Sequence, residues 1–301
     1  MAVRRRRRTR AQLTAGTAGA GWAPSELELS RRAWRRGRAR RSTLVALLST
    51  LLFAVAAYLA VTRAPGWPRV RTTFFSWSVA VDAFPDILRG LWLNLQVLVV
   101  GGALVLVTGL LVASVRTLRG PALAPLRILA TVYVDLFRGM PLIIVLYLVG
   151  FGFPALGLQG VPTSAFVLGT TAIVLVYSAY VAEVFRAGIE SVHPSQRAAA
   201  RSLGLTHRQT MRIVVLPQAL RTVTPALLND FVALQKDVGL ISVLGAVDAV
   251  RSAQIVVGQT FNFTPYVVAG LLFVVLAVPS ARLADAVTAR ARRRQQSGSL
   301  L

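Results

Sequence analysis

The chain has 301 residues, 55% of them hydrophobic and 15% charged, with a mean hydropathy of +0.61. That balance is too apolar for a soluble domain of this length and marks an integral membrane protein. The 34 basic against 11 acidic residues do not point to a nucleic-acid binder, because they gather at the ends of apolar runs and in a tail. The absence of cysteine excludes disulfides, thiolate nucleophiles and Cys-liganded metals.

Residues 1–41 are rich in arginine, with Arg4 to Arg8 consecutive and Gly, Ala and Thr between the charges. Such a stretch cannot bury a core, and it is predicted to be a disordered cytoplasmic tail held near the membrane by positive-inside anchoring and attraction to anionic lipid. The apolar run from about Ser42 to Val61 can cross a bilayer; a cleaved signal peptide is the rival reading, but the run is long and starts far from the N-terminus, which favours an uncleaved span. Residues 42–63 are therefore an expected N-terminal transmembrane helix. Residues 64–89, with Trp67, Phe74, Phe75, Trp77 and Phe84, suit an external interfacial connection with aromatic anchors.

Five further spans are expected at about Leu91–Val115, Gly139–Leu158, Thr163–Val184, Pro217–Leu244 and Pro265–Leu283, making an all-α membrane protein of six transmembrane helices. With the N-terminus in the cytoplasm, only Arg63, Arg69, Arg71, Arg89 and Arg251 fall outside, while Lys236 lies within a span. Six spans also return the basic tail, 286–301, to the cytoplasm, so both termini are placed there.

The loop at about 187–216 is then cytoplasmic. Its stretch SQRAAARSLGL (195–205) contains the helix formers Ala198, Ala199, Ala200 and Leu203, then Gly204 as a C-cap or point of close approach. Thr206 is a candidate N-cap for the helix that follows, and Leu216-Pro217 marks re-entry to the membrane. Consecutive small residues leave a flat surface on which another protein can pack.

No catalytic constellation is present. A phosphate-cradling G-x-x-x-x-G-K-[ST] loop needs lysine after glycine, and the only lysine, Lys236, follows Gln235. His193 and His207 read as exposed loop residues, so no metal site is expected. Polar residues inside spans are costly and point to function. Asn229 and Lys236 share one helical stripe and Asp230 and Asp237 an adjacent one, facing the bundle interior as either a solute path or an internal polar network. Asn94 and Gln96, near the outer end of their span, are placed at the entrance. Asp135 with Arg138, and Glu183 with Arg186, are expected as interfacial ion pairs.

From Tyr180 onward, YVAEVFRAGIESVHPSQRAAARSLGLTHRQTMRIVVLPQALRTVTPALLNDFVALQKD closely resembles the cytoplasmic-loop region of ATP-binding-cassette importer permeases of the polar amino acid branch. Ala199, Ala200, Gly204, Val214, Leu216 and Pro217 match the family's loop motif in register, while Ala198 stands where the family has glutamate. Tyr133 to Pro141 resembles the approach to the second core span, and Asn229-Asp230 and Lys236-Asp237 resemble the fourth; the likeness runs from about Gly90 to Arg294. It implies a five-helix type I permease core over 90–285 preceded by one extra span. It further implies a second permease chain, two cytoplasmic ATPase subunits that bind ATP and Mg, an external solute-binding protein, and a polar amino acid as solute. No cofactor would be held by this chain, and Ala198, Ala199, Ala200, Gly204, Leu205, Leu216 and Pro217 would couple it to the ATPase. Two other functions fit less of the sequence: an ion channel, which would want polar lining along several spans, and a membrane-anchored scaffold using the Arg-rich tail.

Overall fold

The computed structural model describes residues 25–298, apart from 119, 158 and 161, and the described residues contain no strand. They fall into two units, Met1–Trp67 and Pro68–Leu301. The first is built on one helix of 37 residues, α1 (Glu26–Thr62). Ser25 caps it, its side chain accepting from the Glu28 amide, and Glu26 and Glu28 lie in the first turn, where the helix dipole favours negative charge. Residues 26–41, expected to be disordered, are thus helical, whereas the expectation for residues 1–24 lies outside the described residues. Arginine is a strong helix former, and turns added to an existing apolar helix escape the nucleation penalty. Beyond Thr62, Pro65 and Gly66 punctuate the chain.

The elements that follow are α2 (Trp67–Phe74), α3 (Trp77–Thr117), α4 (Ala124–Gly139), α5 (Leu142–Ala155), α6 (Ala165–Ser191) and α7 (Pro194–Ser202). A single turn, His207–Gln209, and a π-helical stretch, Thr210–Val215, lead into α8 (Leu216–Asp237). A 3₁₀ segment, Val238–Leu244, precedes α9 (Ala249–Thr260) and α10 (Thr264–Gly298).

The external connection expected over 64–89 is largely helical, because α3 begins at Trp77. Ala83, Ile87 and Leu91 recur at helical spacing and pack into one cluster with Ala249, Ala253 and Ala269, so apolar burial carries α3 outward past the expected boundary.

Among the described residues, four helices are long and apolar enough to cross a membrane, within Arg41–Thr62, Trp67–Thr117, Ala165–Ser191 and Thr264–Arg290. The number rises to six if two bent pairs each count as one span: Pro121–Gly139 with Leu142–Ala155, bent by 109°, and His207–Leu244 with Ala249–Thr260, bent by 49°. The first bend has a covalent cause, since Pro141 disfavours helical backbone at Met140, which is extended at φ −99° and ψ 137°. The expected span Gly139–Leu158 is consequently the 14-residue α5, about 21 Å long and short of a 30 Å hydrocarbon core. The expected span Pro217–Leu244 likewise leaves α-helix at Asp237 and tightens into 3₁₀ geometry.

The core centres on α6, whose Ala172, Ile173, Val176, Ala179, Val181 and Ala182 are buried in a cluster shared with α3, α5 and α8. Small residues on this face let the backbones approach closely, as membrane helices require. Gly90 is the sharpest case: a Cβ there would sit 2.3 Å from the backbone carbonyl carbon of Asp248, so only glycine fits where α3 crosses the turn before α9.

Candidate functional site

Two regions collect the polar chemistry of the second unit. The first begins at the C-terminal end of α6, where Glu183 and Arg186 are in contact as expected from sequence, Arg186 Nε lying 3.1 Å from Glu183 Oε2. The pair belongs to a larger chain of charges: Arg116 at the end of α3 reaches Glu183 Oε2 at 2.7 Å, and Arg186 also binds Glu190. Arg116 and Glu183 are only 11% and 22% exposed, so each relies on the other for the water it has lost. Arg116 was not singled out by the sequence, where it reads as one more loop arginine.

From α6 the chain enters α7 through His193, whose ring Nδ1 accepts from the Ser195 amide and caps the helix, with Pro194 at its first position. α7 is fastened at both sides. Arg197 donates to the Ile189 carbonyl, and Gln218 at the start of α8 donates to Gln196 Oε1 at 2.6 Å. Its end is shaped by Gly204 at φ +82°, with the Leu205 amide returning to the Ala200 carbonyl at 3.2 Å. Thr206 then caps the next turn in a capping box with Gln209.

Of the residues expected on the docking surface, Ala198, Ala199, Gly204 and Pro217 are exposed, Leu205 and Leu216 are half-buried, and Ala200 turns inward and is buried. Leu203 stands out at the tip, 83% exposed beside an open Gly204 whose Cβ position has no atom within 4 Å. Leu203 is thus an exposed apolar side chain at the end of a helix tied on two sides.

The second region lies around α8. Asp230 and Asp237 line a cavity of about 250 Å³ together with Tyr177, Tyr180, Met140 and Pro141, so the α4–α5 break forms one wall. Tyr177 donates to Asp237 Oδ2 at 2.7 Å, whereas the buried Asp230 Oδ2 has no hydrogen-bond partner among the described residues. Tyr177 and Asp230 also border a second cavity, of about 510 Å³ and apolar, lined mainly by α3 and α8. Asn229 and Lys236, on the neighbouring stripe, are exposed, and Lys236 has no ion pair among the described residues.

Two expectations are corrected. Asp135 and Arg138 are both exposed and form no ion pair among the described residues; the Arg138 guanidinium instead lies 5.8 Å from the centre of the Tyr180 ring, whose hydroxyl donates to the Arg138 carbonyl. Asn94 is not at an entrance but 2% exposed, donating to Asp248 Oδ2 at 2.9 Å and to the Val238 carbonyl, and accepting from the Ala249 amide. Gln96, two residues on, is exposed in an outer crevice of about 570 Å³ between α3 and α9. Asp248 was missed by the sequence reading although Asp248-Ala-Val-Arg251 has an N-cap's spacing: its Oδ1 accepts from the Arg251 amide at 2.8 Å.

Residues 105–293 match the model of a family described as the binding-protein-dependent transport system inner membrane component. Among curated proteins the chain is similar to the arginine transport system permease protein ArtQ of Bacillus subtilis, 33% identical over 66% of this chain and 90% of that protein. It is 35% identical to the probable glutamine ABC transporter permease protein GlnM of the same organism, over 67% of this chain and 91% of that one. Among solved structures it resembles an amino acid ABC transporter determined with histidines, at 34% identity and a TM-score of 0.63, covering 70% of this chain and 96% of that one. A lower likeness, 23% identity with a TM-score of 0.55, to the inward-facing MetNI methionine ABC transporter concerns the fold. With a family model covering more than half of its length and an all-α fold shared with importer permeases, this chain belongs to the binding-protein-dependent transport system inner membrane component family and is a multi-pass membrane transport subunit.

Proposed function

We propose that the chain is the permease subunit of an importer for polar amino acids, powered by ATP and Mg bound in a separate cytoplasmic ATPase pair that docks on α7. The observation that carries this reading is the mounting of α7: Ala198 and Ala199, with Leu203 and Gly204 at its end, are exposed while Arg197 and Gln196 tie it to α6 and α8. A surface so held transmits displacement as rigid-body motion instead of absorbing it. Ala198 lacks the carboxylate usual in the family, so docking here leans on apolar contact and shape. The solute path runs past Asp230 and Asp237, whose cavity offers carboxylate oxygens to an ammonium group. A second permease chain and an external solute-binding protein complete the importer, each bent helix pair counts as one span, and both termini face the cytoplasm.

Gly204 provides the test. Gly204→Leu places a bulky side chain on the docking face, whereas Gly204→Asn keeps the left-handed backbone with a smaller, polar group. In complexes reconstituted with the ATPase and the solute-binding protein, the Leu variant loses solute-stimulated ATP hydrolysis and the Asn variant retains most of it. Equal, parental stimulation in both removes α7 from the docking surface.

A further inference from the structure

The arginines that precede the first span lie on the same uninterrupted helix as the span itself, since α1 runs from Glu26 to Thr62 without a break at Ser42. Its apolar part, Arg41–Thr62, is 22 residues or about 33 Å, enough to fill the hydrocarbon core. The preceding 15 residues extend the same axis by about 22 Å, through the headgroup layer and past it. Seven arginines fall between Arg31 and Arg41, against two carboxylates, Glu26 and Glu28, in the whole of that extension.

The spacing makes this helix repel itself. Arg31 and Arg35, Arg32 and Arg36, and Arg36 and Arg40 are four residues apart, where like charges destabilise a helix. Arginine positions also go round the axis instead of keeping to one face, unlike an amphipathic helix lying flat on a membrane. A self-repelling helix that is nevertheless continuous requires counter-charge on all sides at the level of Arg31 to Arg41. Trp34, with the Arg38 guanidinium 5.2 Å over its ring, puts an aromatic of the interfacial type at the same level.

We infer that residues 31–41 of α1 form a basic collar that gathers anionic phospholipid headgroups around the first span on the cytoplasmic leaflet. The ligand is the phosphate of a lipid with net negative charge, met by guanidinium groups that pair well with its oxygens. The cytoplasmic assignment rests on the proposed orientation, and gathering of lipid by the collar does not.

The test uses the full chain in nanodiscs whose two leaflets have the same composition, so that orientation cannot influence the result. Spin-labelled phosphatidylglycerol and phosphatidylcholine report which lipid is held at the protein surface. One guanidinium per headgroup corresponds to about a fivefold preference for the anionic lipid. Replacing Arg31, Arg35, Arg38 and Arg41 together by Gln, which keeps helix propensity, reduces the number of selective sites, and replacing the same four by Lys preserves it. Raising the salt to 0.5 M weakens the preference of the parent, by ordinary screening. Equal numbers of selective sites in the parent and the Gln variant overturn the proposal, as does loss of sites in the Lys variant. Displacement of labelled lipid by added RNA at physiological salt also overturns it and assigns the collar to nucleic acid.

Discussion

Leu203 allows the docking contact to be weighed from the structure. Its side chain is 83% exposed, so truncation to Ala removes almost nothing from the fold, but on docking it would lose the burial of three carbon groups. At about 0.8 kcal/mol per group, full burial is worth about 2.4 kcal/mol, and scaling by the exposed share leaves about 2 kcal/mol. That corresponds to an affinity lower by about 30-fold. Titrating the ATPase subunit onto the permease in nanodiscs measures the change directly, and the midpoint of thermal unfolding of the permease alone serves as the control, expected to be unaltered. An affinity within twofold of the parent, with the fold intact, refutes the idea that this tip is covered by the ATPase. An affinity loss accompanied by an equal loss of permease stability refutes it as well, since Leu203 would then be packing within its own chain.

Asp248→Ala removes the cap of α9 and leaves the Asn94 amide buried without its carboxylate partner, a cost of about 2–4 kcal/mol in the stability of the permease. Adding Asn94→Leu to that variant costs much less than Asn94→Leu alone, a coupling that denaturation of the four proteins reads as a double-mutant cycle. Ser202, which is exposed, lies on the cytoplasmic side in the proposed orientation, so Ser202→Cys, in a chain with no other cysteine, is labelled by a membrane-impermeant thiol reagent only from that side; labelling of intact cells from outside reverses the proposed orientation.

Hydropathy alone located the apolar runs, and local chemistry located α7, its glycine end and the Thr206 cap, since all of these depend on residues within a turn or two of one another. The contact between Glu183 and Arg186 was legible for the same reason. What escaped was set by distant partners. Asn94 looked like an entrance residue because nothing near it in sequence discloses Asp248, 154 positions away, and Arg138 looked paired with Asp135 until packing of α4 on α6 offered it the face of Tyr180, 42 positions away. The break at Met140-Pro141 was readable in principle from the proline, but the surrounding apolarity masked it as the start of a continuous span. α9 was hidden differently: Ala249 to Thr260 is too short and too polar for a span, yet too buried at Ala249 and Ala253 for a loop.

The Asn94–Asp248 contact, with Gly90 pressed against the Asp248 backbone, bears on how such a bundle can move. Three hydrogen bonds from one amide side chain pin α3 to the 3₁₀ segment, to the cap of α9 and to its first residue, and the missing Cβ at Gly90 leaves no space in which to slide. Sliding α3 along α9 would strip a buried carboxylate and a buried amide at once, so in kinematic terms these elements are a single link, not two. A joint must then lie elsewhere, at the extended Met140 between α4 and α5. That joint opens onto α5, whose 14 residues span less than the bilayer is thick. A mechanism with one fixed link and one joint at the root of a short lever has few ways to move, and alternating access would be selected from among those few.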